Sequence, residues 1–296
     1  MFGGTNGNRQ SKNARFRPVE TIEKLQTESF DKPIEDEFAQ AAYQLTPQLT
    51  KEQVGVLFQP VYKRMGHSFL PCSYKALSVV NSEETPVIMG RPLVATEGMS
   101  LVRAMKLGYH QHELIDLQLS AFARQVRGLE KVSLELDIYD LATNPAHFDN
   151  VISMIAKSEE RGVSAKQINV ELNASAAIDL PVLADVALRL KSLGVNITLT
   201  NMDADNFSVT RIFRVQPTTI KFNRSWIEAG QSNKDFQTMF RSIVDTLHNT
   251  GHHAALTNVE SKADVAFANT CGLIRCQGSH FGLPASNLMR EQVYTV

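Results

Sequence analysis

Two aspartates separated by one residue, Asp203-Ala204-Asp205, follow the apolar run Val195-Asn196-Ile197-Thr198-Leu199-Thr200-Asn201-Met202. Carboxylates at that spacing can offer oxygen to a hard cation, but a calcium loop also needs a glycine turn and a distal bidentate glutamate, and neither follows. The stretch reads as an acidic loop leaving a strand. His110-Gln111-His112 and His252-His253 lack further ligands at metal spacing and read as surface or core histidines. His280, in Gln277-Gly278-Ser279-His280-Phe281, has a ring able to stack on a nucleobase. No Gly-x-Ser-x-Gly elbow supports a serine nucleophile, and no G-x-G-x-x-G or P-loop spacing supports a nucleotide-binding sheet. The three cysteines, Cys72, Cys271 and Cys276, form no C-x-x-C pair and read as buried free thiols.

The more informative polar groups sit inside short β-like runs, at about 54–61, 74–80, 131–136, 167–172, 195–200, 218–222, 253–257 and 272–277. Helical patterns separate most of them. Phe236, Met239, Phe240, Ile243, Val244 and Leu247 follow the i, i+3, i+4, i+7 spacing of a one-sided helix, and Leu183, Val186, Leu190 and Leu193 do nearly as well. Gly194 and Gly251 stand where helices end in a left-handed residue. Eight strand-like runs alternating with helices predict an α/β fold, a closed (β/α)8 barrel with an outer helical ring. Its ligand site belongs at the carboxyl ends of the strands, and the polar residues to inspect in these runs are Lys75, Glu135, Glu171, Thr200, Lys221, Thr257 and Gln277.

Three segments are expected. Residues 1–18 are rich in Gly, Asn and Ser with four basic residues and no acid, a disordered basic arm. Residues 19–50 turn acidic, and Ile34, Phe38, Ala41, Ala42 and Leu45 mark an amphipathic helix within this extension. Residues 51–296 form the barrel domain. Thirty basic against thirty-one acidic residues leave a formal charge of -1, so no global field draws the chain to nucleic acid or an anionic membrane. With no apolar signal core and no run near the ~18 apolar residues of a membrane span, a cytoplasmic protein is expected.

The series Tyr74-Lys75-Ala76-Leu77, Ser133-Leu134-Glu135-Leu136-Asp137, Glu171-Leu172-Asn173-Ala174-Ser175, Thr200-Asn201-Met202-Asp203, Lys221-Phe222-Asn223, Thr257-Asn258-Val259-Glu260 and Gln277-Gly278 resembles the EAL domain, the bacterial cyclic-di-GMP phosphodiesterase family. The resemblance covers about Val54 to Pro284. It implies a modified TIM barrel in which two Mg²⁺ or Mn²⁺ ions, held by carboxylates and an Asn, activate a water against one phosphodiester. Such ions require oxygen donors.

Carried over position by position, most of that machinery is replaced. The motif glutamate is Lys75, the following arginine is Val79, and the metal-binding Asn is Glu135. Glu171 matches a metal-binding glutamate, but the second acid of its motif is Ala174. Thr200 and Asn201 stand for the two bridging aspartates, Asn223 for the aspartate after the matching Lys221, and Thr257 for a metal-linked glutamate, while Glu260 and Gln277 are family-like. A lysine ~4 Å from a divalent ion adds a repulsion of about 8 kcal/mol at an effective dielectric of about 20.

The resemblance therefore implies no catalytic residues, no metal and no cofactor, with Mg or Mn entering only if the chain is an active phosphodiesterase with an unusual metal set. Lys75 is expected either to take a metal's electrostatic place, held by Glu135 and Glu171, or to point to solvent at a decayed site. Gln59, Leu77, Lys221, Gln277 and Pro284 are the candidates for a remnant cyclic-di-GMP pocket. The expected role is a non-catalytic regulator in cyclic-di-GMP, motility or surface-attachment signalling. A protein partner is expected, with cyclic-di-GMP as a candidate ligand, homodimerisation open, and no membrane or nucleic-acid partner.

Overall fold

The computed structural model describes residues 54–81, 86–89, 111–129, 131–138, 145–174, 178–205, 207–288 and 293–295. The expected arm, the acidic extension and His110 lie outside these residues. No helix among the described residues is long and apolar enough to cross a membrane.

Strands β1 (Val54–Met65), β2 (Ser68–Asn81), β4 (Ser133–Ile138), β5 (Ile168–Asn173), β6 (Asn196–Met202), β7 (Thr219–Phe222), β8 (His253–Leu256) and β9 (Arg275–Gln277) form the wall. The order β1-β9-β8-β7-β6-β5-β4-β2 is closed by pairing of β1 with β2, giving the expected barrel. From β2 through β9 the neighbours are parallel, but β1 runs antiparallel to both of its neighbours. The rule of carboxyl ends therefore fails for this one strand, and Gln59 enters the site from mid-strand. Two small strands, β3 (Pro86–Met89) and β10 (Tyr294–Thr295), pair antiparallel with the two ends of β2.

β2 begins six residues earlier than its expected start, running through Pro71, a residue type that ordinarily ends a strand. A bulge absorbs it: Val61 pairs with Ser73 and Tyr62 with Pro71, leaving Cys72 as the extra residue. Pro60 is similarly placed between two pairing partners, Ala285 at Phe58 and Gln277 at Val61. The last strand is shorter than expected because Gly272, at φ 78, is still in the turn before it.

The outer layer contains α1 (Gln111–Ala123), α2 (Pro145–Ala156), α3 (Leu180–Ser192), α4 (Val209–Val215), α5 (Arg224–Ser232), α6 (Lys234–Asn249) and α7 (Lys262–Thr270). Helices α3 and α6 confirm the two strongest periodicities, and Gly194 and Gly251 follow them at φ 84 and 86. Asn233 caps α6 through Asp235 N at 2.9 Å and Phe236 N at 3.1 Å. Phe240, Val244 and Leu247 are its buried stripe. Phe240 lies against Trp226 with ring centroids 4.5 Å apart, and Trp226 satisfies its indole N–H on Met202 O at 2.7 Å.

Period-two alternation explains where the polar groups go. In β4, Leu134, Leu136 and Ile138 are buried in the apolar core, so Glu135 and Asp137 share the opposite face, inside the barrel. The same alternation turns Lys75, Glu171, Lys221 and Gln277 inward. Apolar side chains hold the wall to its helices, and the lumen is polar.

Candidate functional site

Two ammonium groups and three carboxylates converge in the lumen. Lys221, on β7, is 3% exposed and donates to Glu135 Oε2 at 2.5 Å, to Glu171 Oε1, and to Gln277 Oε1 at 3.0 Å. Lys75, on β2, donates to the other oxygen of Glu171 at 2.7 Å and lies 2.9 Å from Asp137 Oδ2. Glu171, 1% exposed, is thus gripped from both sides. Ser73 donates to Glu135 Oε1 at 2.6 Å, and Gln277 Nε2 passes the network on to Gln59 Oε1 at 3.1 Å.

The expectation for Lys75 is met in part and corrected in part. The amine is turned inward onto Glu171, but Glu135 is not its second partner. In the strand register Lys75 lies directly opposite Glu135, whose side chain is drawn instead to Lys221 and Ser73. Asp137, one inward position nearer the mouth, supplies the second carboxylate. Asp137 and Ser73 are the members of the cluster that the sequence pattern does not single out. A signal for Asp137 is nevertheless present, since Glu135 and Asp137 are two apart on one strand and must share a face.

Burial alone would strip the proton from each lysine, but the carboxylates reverse this. Asp137 and Glu171 hold Lys75 above its usual range, and Glu135 and Glu171 do the same for Lys221. Burial favours the neutral form of Glu171, yet Lys221 and then Lys75 overcome it and hold the acid well below the normal carboxylate range. Asp137 goes the other way. Burial, with the charge of Glu171 beside it, outweighs Lys75 and pushes its carboxyl up to about 7.

The remaining candidates do not supply an ion. Thr200 Oγ1 faces Leu172 O at 3.4 Å and Thr257 Oγ1 donates to Phe222 O at 3.1 Å, so both hydroxyls are directed at neighbouring strand backbone. Asn201, at φ 58, sits where the register of β6 and β7 shifts between Leu199 and Met202; asparagine tolerates this left-handed backbone. Asp203 accepts from Asn223 Nδ2, whose Oδ1 caps α5 through Ser225 N at 3.1 Å. Glu260 is paired with Arg224 at 3.3 Å. Leu77 and Pro284 are buried, and the structure gives neither a side-chain polar contact with the cluster. His280 packs on Phe281 and Tyr294, with centroids 5.3 and 6.4 Å away. His252 Nδ1 is 2.6 Å from Pro217 O. All three cysteines are free thiols.

Gly278, directly after Gln277, answers to a close backbone approach. A Cβ there would lie 2.1 Å from Val259 O, so no side chain fits while Val259 N bonds Gln277 O at 3.1 Å.

Could this donor set hold two divalent ions? Among the described residues no three Asp, Glu, His or Cys side chains are arranged to hold one. Glu171 has each oxygen committed to an ammonium, and a cation entering between Lys75 and Lys221 meets like charge on both sides. The residues present do not fit the two-metal centre.

The EAL domain model matches residues 42–284, and the chain belongs to the EAL family of cyclic-di-GMP signalling, whose relatives include phosphodiesterases. Similar solved structures include BlrP1 of Klebsiella pneumoniae in its manganese and cyclic-di-GMP complex. It has a TM-score of 0.64 at 17% identity, over 84% of this chain and 61% of that one. The PaMucR phosphodiesterase in complex with cyclic-di-GMP gives a TM-score of 0.67 at 17% identity, over 83% of this chain and 97% of that one. YkuI of Bacillus subtilis, with cyclic-di-GMP and calcium, gives 0.66 at 14%, over 80% and 57%. At these identities the likeness establishes the fold. None of the curated proteins matches the chain in sequence.

Proposed function

We propose that this chain is a non-catalytic EAL protein, a regulator in cyclic-di-GMP, motility or surface-attachment signalling that acts by binding other proteins. The observation that carries the reading is the Lys75 ammonium seated on Glu171 and Asp137, an internal cation on the glutamate that the resemblance matches to a metal ligand. The replaced acids at Thr200, Asn201 and Thr257 agree with it, because their side chains are directed at strand backbone or carry no charge. Binding of proteins is supported by Val209, Phe213 and Met239, which are 52%, 66% and 47% exposed and line one apolar groove of about 270 Å³ between α4 and α6.

A second reading, a cyclic-di-GMP receptor, rests on the joined Gln59, Gln277 and Lys221, which survive at the family's positions. Incubation of the protein with cyclic-di-GMP and Mn²⁺, followed by product analysis and by calorimetry of the same samples, tests both. The expected result is no linear dinucleotide product and no binding tighter than ~10 μM. Tighter binding without product favours the receptor. Turnover that disappears in Glu171→Gln overturns the non-catalytic reading.

A further inference from the structure

The amino-terminal end of the barrel, opposite the carboxylate cluster, carries the reverse imbalance of charge. Lys63 on β1 and Arg275 on β9 are direct register partners. Arg275 stands at the start of its strand, and its guanidinium reaches past β8 to the Thr219 hydroxyl on β7 at 3.2 Å. That reach places the side chain inside the barrel. His253, at the start of β8, pairs in register with Thr219. Lys63, His253 and Arg275 are half-buried, and Thr219 is buried.

No ion pair among the described residues neutralises it. Neither Lys63 nor Arg275 has a carboxylate partner there, and Arg275 Nε is buried with no hydrogen-bond acceptor. Glu135, whose charge reaches Cys72 in the same region, is already taken by Lys221 and Ser73. The resulting potential is felt by His253. Burial, then the charges of Arg275 and Lys63 with His248 and His252 behind them, depress its imidazole to about 4. A buried N–H without an acceptor, in a region of unopposed positive charge, is costly, and an anion removes that cost.

We infer that Lys63, Arg275 and Thr219 form an anion site at the amino-terminal end of the barrel that takes a phosphate group, as inorganic phosphate or as a phosphomonoester. Two formal positive charges match a dianion. The planar guanidinium has an N–H to spare, the lysine adds a mobile point charge, and the hydroxyl completes a set of donors suited to tetrahedral oxygens. The site does not depend on whether the opposite end of the barrel is catalytic.

Titration calorimetry of the full chain with inorganic phosphate in a low-salt chloride buffer, repeated with glycerol phosphate, tests this. One equivalent of phosphate should bind, at least ten-fold more weakly in Lys63→Gln and without detectable binding in Arg275→Gln. Binding of the ester with similar affinity identifies a site open to phosphomonoesters; binding of phosphate alone identifies a site for the free anion. Because Arg275 also bonds Thr219, its variant can lose the fold. Lys63→Gln removes no side-chain hydrogen bond or ion pair among the described residues, and circular dichroism confirms that it is folded. No saturable phosphate binding by the native protein, or native affinity in folded Lys63→Gln, overturns the assignment.

Discussion

Replacing Lys221 by Met lowers the stability of the protein by about 4 kcal/mol, because it breaks a buried ion pair on one side only. The amine is the shared partner of Glu135 and Glu171, and all three side chains are almost completely buried. Without it, two carboxylates remain in the lumen with Ser73 and Lys75 as their nearest donors. The loss is measured by urea unfolding at neutral pH, native against variant. Adding Glu135→Gln to Lys221→Met should recover part of the deficit, since the second change removes the stranded charge; a double variant weaker than the sum of the single changes contradicts the pairing.

Lys75→Met is the second large effect, about 3 kcal/mol at pH 8, and its size should depend on pH. The lysine side chain is 21% exposed, so its loss costs less than that of Lys221. Its partner Asp137 already sits up at about 7 with the amine in place, and without it the acid moves higher still. A carboxyl raised in the folded state favours folding where it is protonated, so that stabilisation is lost as pH rises from its unfolded value, near 4, through its folded one. Below about pH 6 Asp137 is neutral in native protein and variant alike, and the deficit shrinks. Above pH 7 only the native protein has an ammonium beside the ionised acid, and the deficit grows with pH towards the variant's higher folded value. Unfolding curves at pH 5.5 and pH 8 check this. A deficit below ~0.5 kcal/mol at both, the value for an unremarkable surface site, means that Lys75 is not an internal cation.

The other carboxylate has the opposite sign. Glu171 is held well below its ordinary range by Lys221 and Lys75, so its contribution is present above the unfolded value and is lost as pH falls through the folded one. Between pH 5 and pH 8 it is constant. The slope measured there with Lys75→Met therefore belongs to Asp137.

Much of the barrel is legible in the sequence because its strands carry a period-two pattern and its longest helices a clean stripe. Leu134, Leu136 and Ile138 against Glu135 and Asp137 are enough to say which face of β4 meets the helices and which meets the lumen. The departures are local. Pro71 has the character of a strand breaker, and only pairing with the partner strand reveals the bulge at Cys72 that accommodates it. The antiparallel course of β1 has no signature in its own residues; it follows from the tight turn at Gly66, φ 64, which makes β1 and β2 a hairpin.

The site is legible as a set of residue types and not as a set of partners. Lys75 is expected either to meet Glu135 and Glu171 or to face solvent; the structure joins it to Glu171, and Lys221 links Glu171 to Gln277. The choice of Asp137 over Glu135 as the second partner of Lys75 depends on which inward layer each side chain occupies. Strand tilt and stagger set that, and a one-dimensional pattern does not contain them. Arg275 and Lys63 lie 212 positions apart, and only barrel closure makes them neighbours.

Titration of the native protein with Mn²⁺, followed by calorimetry or by the loss of the free-ion paramagnetic signal, tests the central claim that lysines occupy the place of the metals. Ion entry must displace Lys75 or Lys221 from Glu171, against a repulsion of about 4 kcal/mol per unit charge pair at ~4 Å. The expected result is no site tighter than about 1 mM. Stoichiometric Mn²⁺ binding in the micromolar range that is lost in Glu171→Gln contradicts it.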